Sequence, residues 1–136
     1  MADWAALRLA WQPRALAVLR IIVGLLMLQH GLSKIFDFPP AAPNHHPYVL
    51  LTVVPGLAGI LETVGSILIV IGLLTRPAAF LLSGEMAFAY FIAHAPRSFF
   101  PIINAGDSAV LYCFVFLYLS VAGAGCWSLD RARGAE

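Results

Sequence analysis

Apolar residues fill long stretches of this chain, and its polar positions fall at the ends of those stretches or at helical spacing inside them. Four apolar segments stand out, about Arg14 to Phe36, Leu51 to Leu74, Pro77 to Ala95 and Asp107 to Trp127. Each is close to the roughly 20 residues that a helix needs to cross a hydrocarbon core. Clusters that break helices lie between them: "DFPPAAPNHHP", "TRP" and "APRSFFPIINAG". Pro77 suits the first helical position of the third segment. Backbone groups in lipid must be satisfied within their own segment, so spans of this kind are helices. The pattern predicts an all-α, polytopic membrane protein: a four-transmembrane-helix bundle.

The flanks complete the plan. Trp4, Leu7 and Trp11 recur at i, i+3 and i+7, one face of a short helix that Pro13 is expected to end. Tryptophans favour the membrane surface, so residues 1–13 read as an amphipathic interfacial arm. A disordered arm with two tryptophans is the other reading. Residues 14–127 form the four-helix transmembrane domain and 128–136 a short tail. An even number of spans puts both termini on one side. Arg8, Arg14, Arg76, Arg131 and Arg133 then lie together, against Lys34 and Arg97 opposite. That asymmetry predicts cytoplasmic termini. The first apolar run exceeds a signal-peptide core and lacks a small-residue cleavage site, so it reads as a retained anchor.

Composition agrees with a membrane protein. Hydrophobic residues make up 61% and charged residues 11%, against roughly 25% charged in soluble domains. Mean hydropathy is +0.88. A net charge of +1 gives no reason to expect nucleic-acid binding. Cys113 and Cys126 share the last apolar run, about 20 Å apart along one helix. That is too far for a disulfide, and they read as packing residues.

Chemistry then concentrates in the polar residues inside or at the ends of the spans: Arg20, Gln29, His30, Lys34, Glu62, Glu85, His94, Asn104 and Asp107. Charges within a bilayer are costly, face the bundle interior and pair. At about 100° per residue, Arg20, Gly24, Met27, Gly31 and Lys34 share one face of the first helix. Glu62 lies near Gly59, Gly65, Ser66 and Ile69 on the second. Such small-residue faces permit close helix approach, within the chain or in a homo-oligomer. Depth sorts the set into two layers. Arg20 is expected to reach Glu62 or Glu85, and Lys34 to pair with Asp107. A carboxylate left over is expected to be protonated or paired from outside the chain. Ion pairs that merely fix helix register are the competing reading. Haem ligation by His30 and His94 lacks supporting spacing, and His45 and His46, adjacent in a Pro-rich loop, read as solvent-facing rather than as a metal site. No metal site, phosphate loop or other catalytic motif appears.

Several motifs occur in a recognisable order: Arg20 with Gly24, "QHGLSK" (29–34), Gly59 with Glu62, "GLLTRPAA" (72–79), "FFPIINAGDSAVLY" (99–112) and "GAGCWSLD" (123–130). In that order they resemble the DoxX family of small bacterial membrane proteins, over about residues 16 to 130. The resemblance implies a four-helix bundle in the bacterial cytoplasmic (inner) membrane, associated with quinone-linked sulfur oxidation and with oxidoreductase complexes. The family's recurring polar positions fall on Arg20, His30, Gly31, Lys34, Glu62, Asn104 and Asp107. Asp107 stands where the family commonly has Glu, and Ala105 replaces a glycine.

Three functions compete. One is a membrane subunit of a quinone- or thiol-linked redox complex, with no redox centre of its own and electrons from partner subunits. Its pocket would hold a quinone among His30, Lys34 and aromatic neighbours Phe88, Tyr90, Phe91 and Tyr112. The others are a small transporter or permeation subunit, and a scaffold whose buried charges only fix packing.

Overall fold

The structure, a computed structural model, describes residues 3–40 and 56–135. His45, His46 and the start of the second apolar segment lie outside the described residues. Among the described residues the chain is helical, without strands. Helix α1 spans Trp4–Phe36, α2 Ala58–Ile71, α3 Thr75–Ala89, α4 Pro101–Asn104, α5 Asp107–Ala122 and α6 Leu129–Ala132. A π-helical turn, Tyr90–His94, continues α3.

α1 departs from the expected arm-plus-span. It runs unbroken through Pro13 for 33 residues, about 50 Å at ~1.5 Å per residue. Asp3 starts it by accepting from the Ala5 and Ala6 amides at 3.1 and 3.3 Å. Proline removes one helical hydrogen bond, but the residue whose carbonyl loses it, Leu9, is exposed. One turn beyond, Arg14 Nη1 donates to the Ala10 carbonyl at 2.5 Å.

α2 ends where Gly72 takes a left-handed φ of 68°. The amides of Gly72 and Leu73 turn back to the carbonyls of Ile69 and Leu68 at 3.2 and 3.0 Å, a glycine-terminated helix end. α3 begins earlier than Pro77 suggested: its first residue is Thr75, so Pro77 sits third in the opening turn. α5 stops at Ala122 rather than Trp127. Gly123, Gly125 and Trp127 all have positive φ there, which turns the chain back across the bundle end.

α1 packs along α2 and α3 along α5, with α2 against α3 joining the pairs. Val23, Met27, Ile69, Ala79, Leu82, Met86, Phe116 and Leu119 form the shared core. The glycine faces are spent inside the chain. A Cβ on Gly31 would sit 2.6 Å from the Thr63 amide nitrogen, and one on Gly59 3.2 Å from Lys34 Cβ. They are therefore not the free oligomerisation faces that the sequence allowed.

The outer surface is apolar in turn. Val18, Ile22, Leu25, Val64, Ile67, Phe80, Leu81, Leu111, Phe114 and Val121 are exposed around all four long helices. A monomer in water rarely shows so large a contiguous patch. α1 is long and apolar enough to cross a membrane by itself; α2 and α5 are apolar but shorter.

Candidate functional site

The buried polar residues separate into two layers, with partners other than those expected. At the end of the bundle where the N-terminal arm meets the tail, Arg20 is fully buried. Its Nη1 donates to the carbonyls of Ile69 and Val70 at 2.5 and 2.6 Å. Nε donates to Ala124 and Nη2 to Trp127, both at 2.8 Å. Arg20 thus bonds carbonyls at the end of α2, where the regular i+4 amide partners run out, and the turn after α5. It pairs with neither Glu62 nor Glu85. The reason is depth: it lies level with the end of α2, where carbonyls are available and the two glutamates are not.

Asp130, a residue that the sequence patterns did not single out, completes this end. Its carboxylate accepts from the amides of Leu74 and Thr75, each at 2.8 Å. Burial works against its charge, but the hydrogen bonds from Thr75 and Leu74 and the nearby Arg133 hold its pKa below the usual carboxylate range. The available signal was positional: an acid just after the last span, level with the start of α3, can satisfy amides at a helix N-terminus.

At the opposite end, Lys34 pairs with Glu62 rather than with Asp107. Asp107 is exposed in the first turn of α5, where a negative charge suits the helix N-terminus. Glu62 is 1% exposed and its Oε2 has no hydrogen-bond partner; neither has Oε2 of Glu85.

Beside this pair lies a cavity of about 540 Å³. Its apolar walls are Leu57 just before α2, Leu61 of α2, Phe88 of α3 and Ile92 of the π-turn; its polar lining is His30, Lys34, Glu85, His94 and Ser108. An adjoining pocket of about 110 Å³ shares His30, Lys34, His94 and Ser108 and adds Glu62 and Tyr112. His30 meets Tyr112 edge-on, ring centroids 5.8 Å apart. His94 stacks on Tyr90, and its Nδ1 lies 3.1 Å from the Asn104 carbonyl. A carbonyl only accepts, so Nδ1 carries the proton and a neutral ring has its lone pair on Nε2.

Asn104 builds the wall rather than the lining. Its Nδ2 donates to the Ser98 carbonyl at 2.6 Å and its Oδ1 accepts from the Gly106 amide at 2.7 Å. Tyr90 donates to the Phe99 carbonyl at 2.5 Å. These bonds tie the π-turn, the 95–100 loop and α4 together.

Of the nine residues singled out from sequence, His30, Lys34, Glu62, Glu85 and His94 come together here. Arg20 is at the other end, and Gln29 and Asp107 are exposed. Phe88 and Tyr112 line the site as expected, while Phe91 points outward and Tyr90 supports the loop. Leu57, Leu61, Ile92 and Ser108 had no distinguishing signal within apolar or small-residue sequence.

The DoxX family model matches residues 15–95, which include His30 and Lys34 of α1, Glu62 of α2, Glu85 of α3 and His94 of the π-turn, but not Ser108 or Tyr112 of α5. The chain belongs to the DoxX family. An uncharacterised protein of Haemophilus influenzae is 44% identical over 127 residues, covering 89% of this chain and 92% of the relative. An uncharacterised membrane protein of Mycobacterium tuberculosis is 27% identical over 142 residues, covering 95% and 87%. No solved structure matches the chain at a significant level. This DoxX protein is a membrane protein, in keeping with its apolar exterior.

Proposed function

We propose that this DoxX protein is a four-span subunit of the bacterial cytoplasmic membrane that binds a quinone in its cavity, within a quinone- or thiol-linked redox complex. One observation carries the reading: apolar walls open between α2 and α3, and polar side chains of three helices gather at one end. The volume falls within the roughly 300–1,000 Å³ usual for small-molecule sites.

The residues present fit a quinone head. Its carbonyls need donors, and the Lys34 ammonium, the His30 ring and the Ser108 hydroxyl are donors on the lining. Its ring needs apolar contact, available from Leu61, Phe88 and Ile92. When bound, a quinone supplies two-electron, two-proton redox chemistry. The chain's own part is to seat the ring, exclude water and hold protons near it. Electrons come from partner subunits in this reading.

The same geometry supports the orientation. Cys126 donates its amide to the Pro13 carbonyl at 3.2 Å, so arm and tail meet at one end. Arg8, Arg14, Arg76, Arg131 and Arg133 belong to that end, which the positive-inside rule makes cytoplasmic. Arg20 and Asp130 favour a purely structural role for that layer alone, because helix ends and tail use all their observed contacts. Purification in native lipid followed by extraction tests the binding: quinone is expected in the extract, and its absence contradicts the proposal.

A further inference from the structure

Glu62 and Glu85 stand on packed helices, α2 and α3, with their carboxyl groups near enough to interact. Two ionised carboxylates so placed repel, and neither can donate to the other. Each also leaves an Oε2 buried with no donor from the protein. Unpaired buried acceptors and uncompensated charge are both costly in an apolar setting.

Lys34 supplies a cation to Glu62, which accounts for one of the two negative charges. The other groups facing the pair are His30 on α1, His94 on the π-turn after α3, and Tyr112 on α5. His94 has its Nδ1 on the Asn104 carbonyl, and His30 packs against Tyr112. Neither histidine forms an ion pair with the glutamates.

We propose that Glu62 and Glu85 hold one proton between them, forming a proton-binding site in the cavity wall. A single proton supplies the missing donor, completes the carboxyl–carboxyl bond and balances Lys34 with one remaining negative charge. Glu62 lines the smaller pocket and Glu85 the larger cavity beside it. Glu85 is thus the carboxyl from which the proton meets an occupant. This goes beyond the quinone reading and does not depend on it, because the proton is held by the ligand-free protein.

The other described acids make the test selective. Asp3, Asp37 and Asp107 are exposed, and Asp130 accepts two backbone amides. Among the described acids only Glu62 and Glu85 face the cavity. Infrared spectra of the ligand-free full chain, in a detergent without ester groups, are expected to show a protonated-carboxyl C=O stretch that moves down in D₂O. The band is expected to be lost in Glu85→Gln, where the amide donates to Glu62 in the proton's place. The absence of the band from the wild-type chain at neutral pH overturns the proposal, with no variant required. So does its survival at full intensity in a folded Glu85→Gln chain. Failure of quinone to co-purify, by contrast, removes only the ligand reading.

Discussion

Arg20 Nη2 donates to the carbonyl of Trp127, 107 positions further along the chain. With its bonds to Ile69, Val70 and Ala124, this guanidinium fastens α1, the end of α2 and the turn after α5 at one point. Arg20→Met removes the guanidinium donor from all four carbonyls while keeping most of the apolar stem. Hydrogen bonds to charged groups contribute about 1.5–3 kcal/mol each, without simple additivity. A loss of more than about 3 kcal/mol is expected, read as a lower midpoint in detergent unfolding. An unchanged midpoint contradicts the lock.

Lys34 and Glu62 form the tie at the other end. Lys34→Met should strand a buried carboxylate and cost about 3–5 kcal/mol. Adding Glu62→Leu removes the stranded charge and is expected to recover much of that loss. A double-mutant cycle on unfolding midpoints checks this. Simple additivity of the two single effects means that the pair is not coupled.

Gly31 sets how closely α1 and α2 approach. A Cβ there meets backbone of Thr63 at 2.6 Å, which cannot swing aside as a flexible side chain would. Gly31→Ala is expected to destabilise by about 1–3 kcal/mol, the range for overpacking. Gly84, where a Cβ would meet nothing within 4 Å, provides the control: Gly84→Ala should leave the midpoint unchanged or raise it. Equal effects at the two sites argue against the close approach.

Asp130 gives the bundle an acid limit. Its folded pKa is lowered, so the stability it adds is complete above the ordinary carboxylate value of about 3.9. That contribution is lost as pH falls through the lower folded value. Asp130→Asn should cost about 1 kcal/mol at neutral pH, as for loss of a helix cap, with the difference from wild type shrinking in acid. Unfolding midpoints measured at neutral and acid pH test this, and a gap that widens in acid contradicts it.

Sequence patterns located the long helices and the small-residue faces because helical periodicity and glycine spacing are local properties. They also singled out the side chains that gather in the cavity. Partner choice was less legible. Pairing Lys34 with Asp107 assumed that opposite charges at similar depth meet, but Asp107 lies on the exposed start of α5, while Gly59 lets Lys34 lie against α2 near Glu62. Arg20 was assigned to carboxylates because acids were visible as letters; the carbonyls it bonds belong to every residue and carry no signal in sequence. Pro13 marked an expected break that the exposed, one-bond loss did not enforce. Asp130 was missed because its partners are amides of a helix start more than fifty positions earlier.

The cavity's ligand preference is tested most directly by titrating a decyl-chained benzoquinone into the purified full chain, comparing wild type with His30→Ala. His30 lines the cavity without carrying the Arg20 or Lys34 ties, so the variant should fold. Saturable binding to wild type is expected, with affinity lowered by about tenfold in the variant, the effect of losing about 1.4 kcal/mol. No saturable binding to wild type, or equal affinity in folded His30→Ala, would contradict it.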